Sequence, residues 1–359
     1  MNNQNDQQAH KPWMIYGANG YTGELIAREA VKRGLTPVLA GRSQQKIQPL
    51  ASELGLPATA FDLDDPEHVA QALKDVAVVL NCAGPFSSTA RPMMQACLSA
   101  GVHYLDITGE ISVFELAQSL HDQAHTAGIV LCPGVGFDVI PTDCVAAALK
   151  AALPDATHLA LGFDSRSGFS PGTAKTSVEG LAEGGKVRRD GKIVSVPLAY
   201  QVRRIDFGDG EKDAMTIPWG DVSTAYHSTG IPNIEVYIPG TPQLIKSAQR
   251  ANYIRPLLGL SLVQTLIKAR IAKTVKGPDE QKRAQMPSFV WGEAVNDRGE
   301  KKTARIRTAN GYSLTVTGSL AVVDHLMHSQ PAGGAYTPSK LVGADLVTRL
   351  PESGQLEIS

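Results

Sequence analysis

The sequence predicts an α/β protein in two parts, a doubly wound parallel sheet followed by a second, α+β domain. Three observations lead there. At 359 residues the chain exceeds what one hydrophobic core ordinarily serves. From Trp13 to about Leu153, short apolar runs alternate with amphipathic stretches, the pattern of repeated βα units around a parallel sheet. Beyond Pro154 that alternation gives way to strands with fewer helices between them.

The strand runs of the first part are 13–16, 37–40, 58–61, 76–82, 103–106 and 129–133. Helical composition fills 22–33, 44–54, 66–73, 91–100, 113–127 and 141–153, with Gly34, Gly55, Gly101 and Gly128 as C-terminal stops. Such a series implies right-handed crossovers. In the second part, 158–163, 193–197, 203–207, 233–238, 289–296 and 304–308 read as strands, with a hairpin turn at Asn296-Asp297-Arg298-Gly299. Helices are expected at 173–182, 244–250, 256–275 and 314–328, and a charged surface loop at 277–286. The chain thus divides into a flexible leader (1–12), a first domain (13–153), a second domain (154–336) and a C-terminal segment (337–359), whose helix at 339–349 is a candidate to return to the first domain.

Apolar residues make up 43% and charged residues 19%, the balance of an ordinary globular protein. A net charge of −1 argues against nucleic acid as a partner, because phosphate-backbone binders carry a basic face. Cys82, Cys97, Cys132 and Cys144 form no C-x-x-C pair and read as reduced, buried thiols, which together with a polar leader lacking an apolar core points to a cytoplasmic protein. The apolar stretch 254–276, with Arg255, Lys268, Arg270, Lys273 and Lys276 interleaved, reads first as a core or dimer-interface helix; a substrate lid or membrane contact is the lesser alternative. No metal site is expected, since neither His121 with His125 nor His325 with His328 has a third ligand nearby.

The first strand runs straight into Gly17-Ala18-Asn19-Gly20-Tyr21-Thr22-Gly23, which opens a helix. Each glycine has a mechanical role: Gly17 for the tight turn, Gly20 for close approach of backbone to a diphosphate, Gly23 for packing helix on strand. Exposed N–H groups and the helix dipole then hold phosphates, and the position after a first strand is the context a dinucleotide fingerprint requires. The end of the second strand reads Ala40-Gly41-Arg42-Ser43, where a carboxylate would take the ribose hydroxyls of NAD. Arg42 instead offers a guanidinium to a 2′-phosphate, so NADP(H) is the expected cofactor. Asp62 and Leu63 follow the third strand near the adenine, and Cys82-Ala83-Gly84-Pro85-Phe86 follows the fourth with small residues suited to lie against ribose and nicotinamide.

Four motifs in order, Gly17–Gly23, Asn81–Phe86, Tyr104–Glu110 and Gly136–Asp143, resemble the saccharopine dehydrogenase-like family, which includes saccharopine reductases and trans-acting enoyl reductases. The likeness extends through Gly172-Thr173-Ala174-Lys175, Ser228–Asn233 and Gly343–Val347. It implies a Rossmann domain, a mixed α/β domain over the nicotinamide, and a homodimer. Beyond Arg188-Arg189 and Arg203-Arg204 no arginine cluster suits a multi-carboxylate substrate, which argues against saccharopine itself.

Hydride transfer asks the protein to place the reactants and supply a proton. Candidates for the proton are Asp138, which reads equally as a cap for the helix beginning at Pro141, and Lys175 and His227 in the second part. Asp106 and Glu110 read as capping carboxylates. The expectation is an NADPH-dependent reductase of a small or lipid-like C=C, C=N or C=O substrate, with enoyl reduction favoured; the rival is a non-catalytic NADP(H)-binding regulator.

Overall fold

The computed structural model describes residues 11–166, 182–255, 260, 263–265 and 286–359. The leader up to residue 10, all but the last residue of the helix expected at 173–182 and most of the stretch 256–285 lie outside these residues.

The first elements alternate strictly: β1 (Trp13–Tyr16), α1 (Tyr21–Lys32), β2 (Val38–Gly41), α2 (Gln44–Leu54), β3 (Ala58–Ala60), α3 (Pro66–Leu73), β4 (Val78–Asn81), α4 (Phe86–Ala100), β5 (His103–Asp106), α5 (Ile111–Ser119), α6 (His121–Ala127), β6 (Val130–Cys132) and α7 (Ile140–Ala152). There follow β7 (His158–Ser165), β8 (Gly185–Arg189), β9 (Lys192–Val196), β10 (Val202–Asp206), β11 (Glu211–Thr216), α8 (Asp221–Thr229), β12 (Asn233–Pro239), α9 (Pro242–Ala251), β13 (Ser288–Val295) and β14 (Lys301–Thr308). The described chain closes with α10 (Gly311–His328), β15 (Gly334–Ala335), α11 (Pro338–Val342), α12 (Leu346–Arg349) and β16 (Glu357–Ile358). Two compact units result: Met1–Ile140 with Leu314–Gly343, and Pro141–Ser313 with Ala344–Ser359.

The first unit holds a seven-stranded sheet in the order β15-β6-β5-β4-β1-β2-β3. Every pairing in it is parallel. Strand order reverses between β1 and β4, whose residues are buried throughout, so the carboxyl ends of these two strands flank the crevice of a doubly wound sheet. Helix α1 buries Gly23, Ile26, Ala27 and Ala30, a stripe at helical spacing, and keeps Glu24 and Arg28 paired at the surface. Helices α2, α4 and α6 each stop at a glycine in the left-handed conformation, Gly55, Gly101 and Gly128.

Four expectations need correction. Helix α4 begins at Phe86, five residues before the expected start at Arg91, because a distant carboxylate caps it and Pro92 sits inside the helix. The single helix expected over 113–127 is two, broken at Leu120. The domain boundary falls at Ile140/Pro141 instead of 153/154: Val145 and Leu149 of α7 press on Gly292 of β13, where a Cβ would meet them at 2.6 and 2.7 Å. Finally, it is 314–343 that rejoins the first unit, adding a seventh strand, while 344–359 belongs to the second. The return is held by hydrogen bonds of α6 histidines, with the Ala335 N–H donating to His121 Nδ1 at 3.1 Å and His125 Nδ1 lying 3.1 Å from the Gly333 carbonyl.

The second unit carries a nine-stranded mixed sheet, β10-β11-β12-β7-β13-β14-β16 with β8 and β9 attached through β12. The hairpin joining β13 to β14 turns at Asn296–Gly299 as the sequence predicts, with the Gly299 N–H donating to the Asn296 carbonyl at 3.0 Å. The sheet curls, so that Arg203 of β10 pairs with Glu293 of β13 at 2.8 Å and Phe207 lies over Gly162. Strands β8, β11 and β16 and helix α8 escape the sequence reading: GKVRR and EKDAMT lack a clean apolar alternation.

A Cβ on Gly333 would sit 2.5 Å from the Ala124 carbonyl oxygen, which is backbone and cannot swing aside. Gly333→Ala should therefore cost about 1–3 kcal/mol and lower the thermal midpoint by several degrees; calorimetric melting checks this, and an unchanged midpoint would contradict the docking of the return segment.

Candidate functional site

The glycine turn is clamped on two sides. Gly17 has φ +82°, and a Cβ on it would lie 2.8 Å from the Ala83 nitrogen and 2.9 Å from the Cys82 carbonyl carbon. The Gly17 and Ala18 N–H groups both donate to the Ala40 carbonyl, at 2.8 and 3.1 Å, and the Gly20 N–H donates back to the Gly17 carbonyl at 3.0 Å. A Cβ on Gly23 would fall 2.5 Å from the Gly17 oxygen, so only glycine lets α1 start this close to its strand. The roles expected of Gly17 and Gly23 are therefore observed as contact distances.

These contacts gather residues from three strand ends. Gly17–Gly23 follows β1, Gly41-Arg42-Ser43 follows β2, and Cys82-Ala83-Gly84-Pro85-Phe86 follows β4, the strands being neighbours in the sheet. Asn19 reaches across the turn, its Oδ1 3.3 Å from where a Cβ on Gly41 would be. Arg42 is exposed. Asp62 is also exposed, with its Oδ1 accepting from the Asp64 N–H at 3.3 Å, and Leu63 packs on the core of the first unit. Arg42, Asp62 and Asp64 all act on the Tyr16 phenol, which burial above all pushes up to about 12 and which donates to the Phe61 carbonyl at 3.1 Å.

The helix starts at this edge differ in a way that bears on anions. Among the described residues no acceptor meets the N–H groups of Thr22 and Gly23 in the first turn of α1. Ser43 does not cap α2 through its side chain, and the first turn of α2 carries no acidic residue. By contrast Asp65 caps α3, and Glu110 caps α4 through both carboxylate oxygens, which accept from Phe86 N–H at 3.0 Å and Ser87 N–H at 2.8 Å. The starts of α1, beside the glycine turn, and of α2, beside Arg42, carry no side-chain cap, as is also true of α5, and Glu24 in the first turn of α1 is paired with Arg28; the first two starts suit a diphosphate and an additional phosphate.

Below the 82–86 loop lies a buried polar network that sequence reasoning missed. Asn81 donates to Thr89 Oγ1 at 3.2 Å and to the Tyr104 hydroxyl at 3.4 Å, while its Oδ1 accepts from the Ala83 N–H at 3.0 Å. Tyr104 donates to Asp106 Oδ2 at 2.7 Å, and Asp106 Oδ1 accepts from the N–H groups of Thr108 and Gly134, each at 2.9 Å. Burial raises Asp106 to about 6, against these hydrogen bonds. Its oxygens bind together the loops after β5 and β6, which makes it structural.

Asp138 sits in the loop after β6, its Oδ2 only 3.0 Å from where a Cβ on Gly109 would be, and burial lifts its carboxyl to about 7. His227 lies in the other unit, half-buried on α8 and edge-on to Tyr226 at 5.6 Å. Lys175 and the glycine-rich stretch around it lie outside the described residues. Burial also pushes the Cys82 thiol up, so it is no ready nucleophile. Among the described residues there is no group of three or more His, Cys, Asp or Glu able to hold a metal ion, and no helix long and apolar enough to cross a membrane.

Residues 13–132, which hold β1 to β6, the glycine turn, Arg42 and the 82–86 loop, match the family described as the saccharopine dehydrogenase NADP binding domain. This part of the chain is similar to the NADP-binding domain of the saccharopine dehydrogenase type. The cofactor is NADP(H), in keeping with Arg42 where a carboxylate would favour NAD. The human saccharopine dehydrogenase-like oxidoreductase is 31% identical to the chain over 150 residues, 36% of this chain and 35% of that one. A trans-acting enoyl reductase of Mycobacterium ulcerans is 31% identical over 138 residues, 36% of this chain and 33% of that one. The chain thus spans about a third of the length of the curated relatives it matches. Over nearly its full length it shares the fold of saccharopine dehydrogenase (L-Glu forming) from Saccharomyces cerevisiae, with a TM-score of 0.63, 11% identity, and coverage of 98% of this chain and 100% of that one.

Arg42→Ala should weaken NADPH at least about tenfold while leaving NADH nearly unchanged, since only the first carries the 2′-phosphate expected to meet the guanidinium. Titration calorimetry with both nucleotides checks this; equal losses would remove the phosphate-reading role from Arg42.

Proposed function

We propose that the chain is an NADP(H)-dependent oxidoreductase that reduces a small or lipid-like substrate at a C=C, C=N or C=O bond, enoyl reduction being favoured. The observation that carries the reading is the open amino end of α1 beside the exposed Arg42, both on the domain that matches the NADP-binding family. NADPH, when bound, supplies the hydride. The chain's own part is to seat the diphosphate on the 20–23 backbone, to present the 82–86 loop to the nicotinamide half, and to provide a proton. The enoyl preference draws support from the relative named trans-acting enoyl reductase. A cytoplasmic homodimer belongs to the same proposal, with free thiols at all four cysteines in keeping with a reducing compartment.

For the proton we assign Asp138 ahead of His227 and Lys175. It shares a unit with the glycine turn, and it stands on a loop that Asp106 ties to the carboxyl end of β5. With its carboxyl lifted to about 7, a substantial fraction carries a proton at neutral pH.

A donor of this kind is competent below its pKa and lost above it, so NADPH oxidation by an accepted enone, imine or ketone should fall as pH rises through about 7. Asp138→Asn should lower kcat about 10²- to 10³-fold and flatten that profile. Absorbance-followed kinetics across pH would test both, and an Asn variant with wild-type rate and profile would exclude Asp138. Tight NADPH binding with silence toward the whole substrate panel would overturn the catalytic reading in favour of an NADP(H)-binding regulator.

A further inference from the structure

Two helices begin at the carboxyl ends of the strands that border the switch point, α1 after β1 and α4 after β4, with Tyr16 and Asn81 opposite each other in the parallel pairing. Each start is a place where amides and helix dipole would attract a phosphate. We infer that Glu110 is a positioning residue that selects between them: it occupies the start of α4, leaves α1 to the diphosphate, and shapes the 82–86 loop for the nicotinamide half. This rests on the NADP(H) reading above.

The geometry is that of an internal anion in place of a bound one. Both oxygens of the Glu110 carboxylate are engaged, Oε1 with the Phe86 N–H at 3.0 Å and Oε2 with the Ser87 N–H at 2.8 Å. The residue at the N-cap of α4 is Pro85, which has no side-chain oxygen, so the cap is drawn from 24 residues downstream in the chain. A serine or aspartate at that position would satisfy the helix locally but leave the loop after β4 independent of the loop after β5. Glu110 joins the two. Its own backbone is fixed in turn: its N–H donates to Thr108 Oγ1 at 3.0 Å, and the Thr108 N–H donates to the buried Asp106 at 2.9 Å. From the other side, Thr89 of α4 donates to the Ala83 carbonyl at 2.6 Å and Asn81 accepts from the Ala83 N–H at 3.0 Å. The 82–86 loop is therefore gripped at its middle by Asn81 and Thr89 and at its end by Glu110, and it is the Ala83 of this loop that the Gly17 turn touches.

Removing the carboxylate would expose a second positive helix end and free the end of the loop, with consequences only for ligands that reach beyond α1. The test compares NADPH with 2′-phospho-ADP-ribose, which keeps both phosphate sites but lacks the nicotinamide. Calorimetric titration of the unsubstituted chain, Glu110→Ala and Glu110→Gln should show Ala weakening NADPH about tenfold and the truncated nucleotide less than about twofold, with Gln, which keeps one acceptor oxygen, between. Equal losses for the two nucleotides, or no loss for either, would overturn the positioning role while leaving the cofactor assignment intact. Should the Ala variant fail to fold, the Gln variant carries the same comparison. Silence of the unsubstituted chain toward both nucleotides would overturn the NADP(H) reading and this inference with it.

Discussion

The site depends on how tightly one turn is pressed between three strands. Gly17 lies with its Cα against the backbone of Cys82 and Ala83 on one side and its N–H on the Ala40 carbonyl on the other. No side chain fits there, since even a methyl group would stand under 3 Å from the Ala83 nitrogen. The packing fixes where α1 begins, and Gly23 keeps that beginning close against the Gly17 turn. Arg42 follows from the same constraint, because the carbonyl that receives Gly17 and Ala18 is two residues before it. On the proposed reading, phosphate recognition is a property of backbone placed by close packing, with Arg42 adding selectivity for the 2′ position.

Such placement needs a floor that does not yield, and the buried chain Asn81–Tyr104–Asp106, with the half-buried Thr89 at its end, supplies it. A buried carboxylate is costly unless its oxygens are matched. Asp106 is matched by a phenol and two backbone N–H groups, and these hold the loops after β5 and β6 in place. Asp138, in the loop after β6, is raised further by burial, to about 7 against about 6 for Asp106. The two acids differ accordingly: the oxygens of Asp106 tie two loops together, whereas burial holds the Asp138 carboxyl nearer neutrality, as the proposed donor role requires.

What could be read in the sequence was what is encoded locally. Helices α2 and α3 and strands β1 and β5 match their predicted limits because apolar periodicity and caps such as Asp65 and Gly55 lie inside the segment itself. The cofactor turn was legible for the same reason, as its glycines act through their own backbone. The start of α4 was not, since its cap is Glu110, and a reader of the segment alone sees Pro92 and places the start beside it. Strand β15 is two residues long with no hydrophobic pattern, and it is recruited by the histidines of α6 more than 200 positions earlier. The polar network was hidden too, because Asn81, Tyr104 and Asp106 meet only through the register of β4 with β5.

The most direct test of this account is a backbone amide NMR titration of the full chain with NADPH. The largest shift changes should fall on residues 20–23 and on 42–44, with 82–84 perturbed less and the Phe86 and Ser87 amides, already held by Glu110, nearly still. Dominant changes at 86–88 with 20–23 unmoved would place the phosphates on the wrong helix and contradict it.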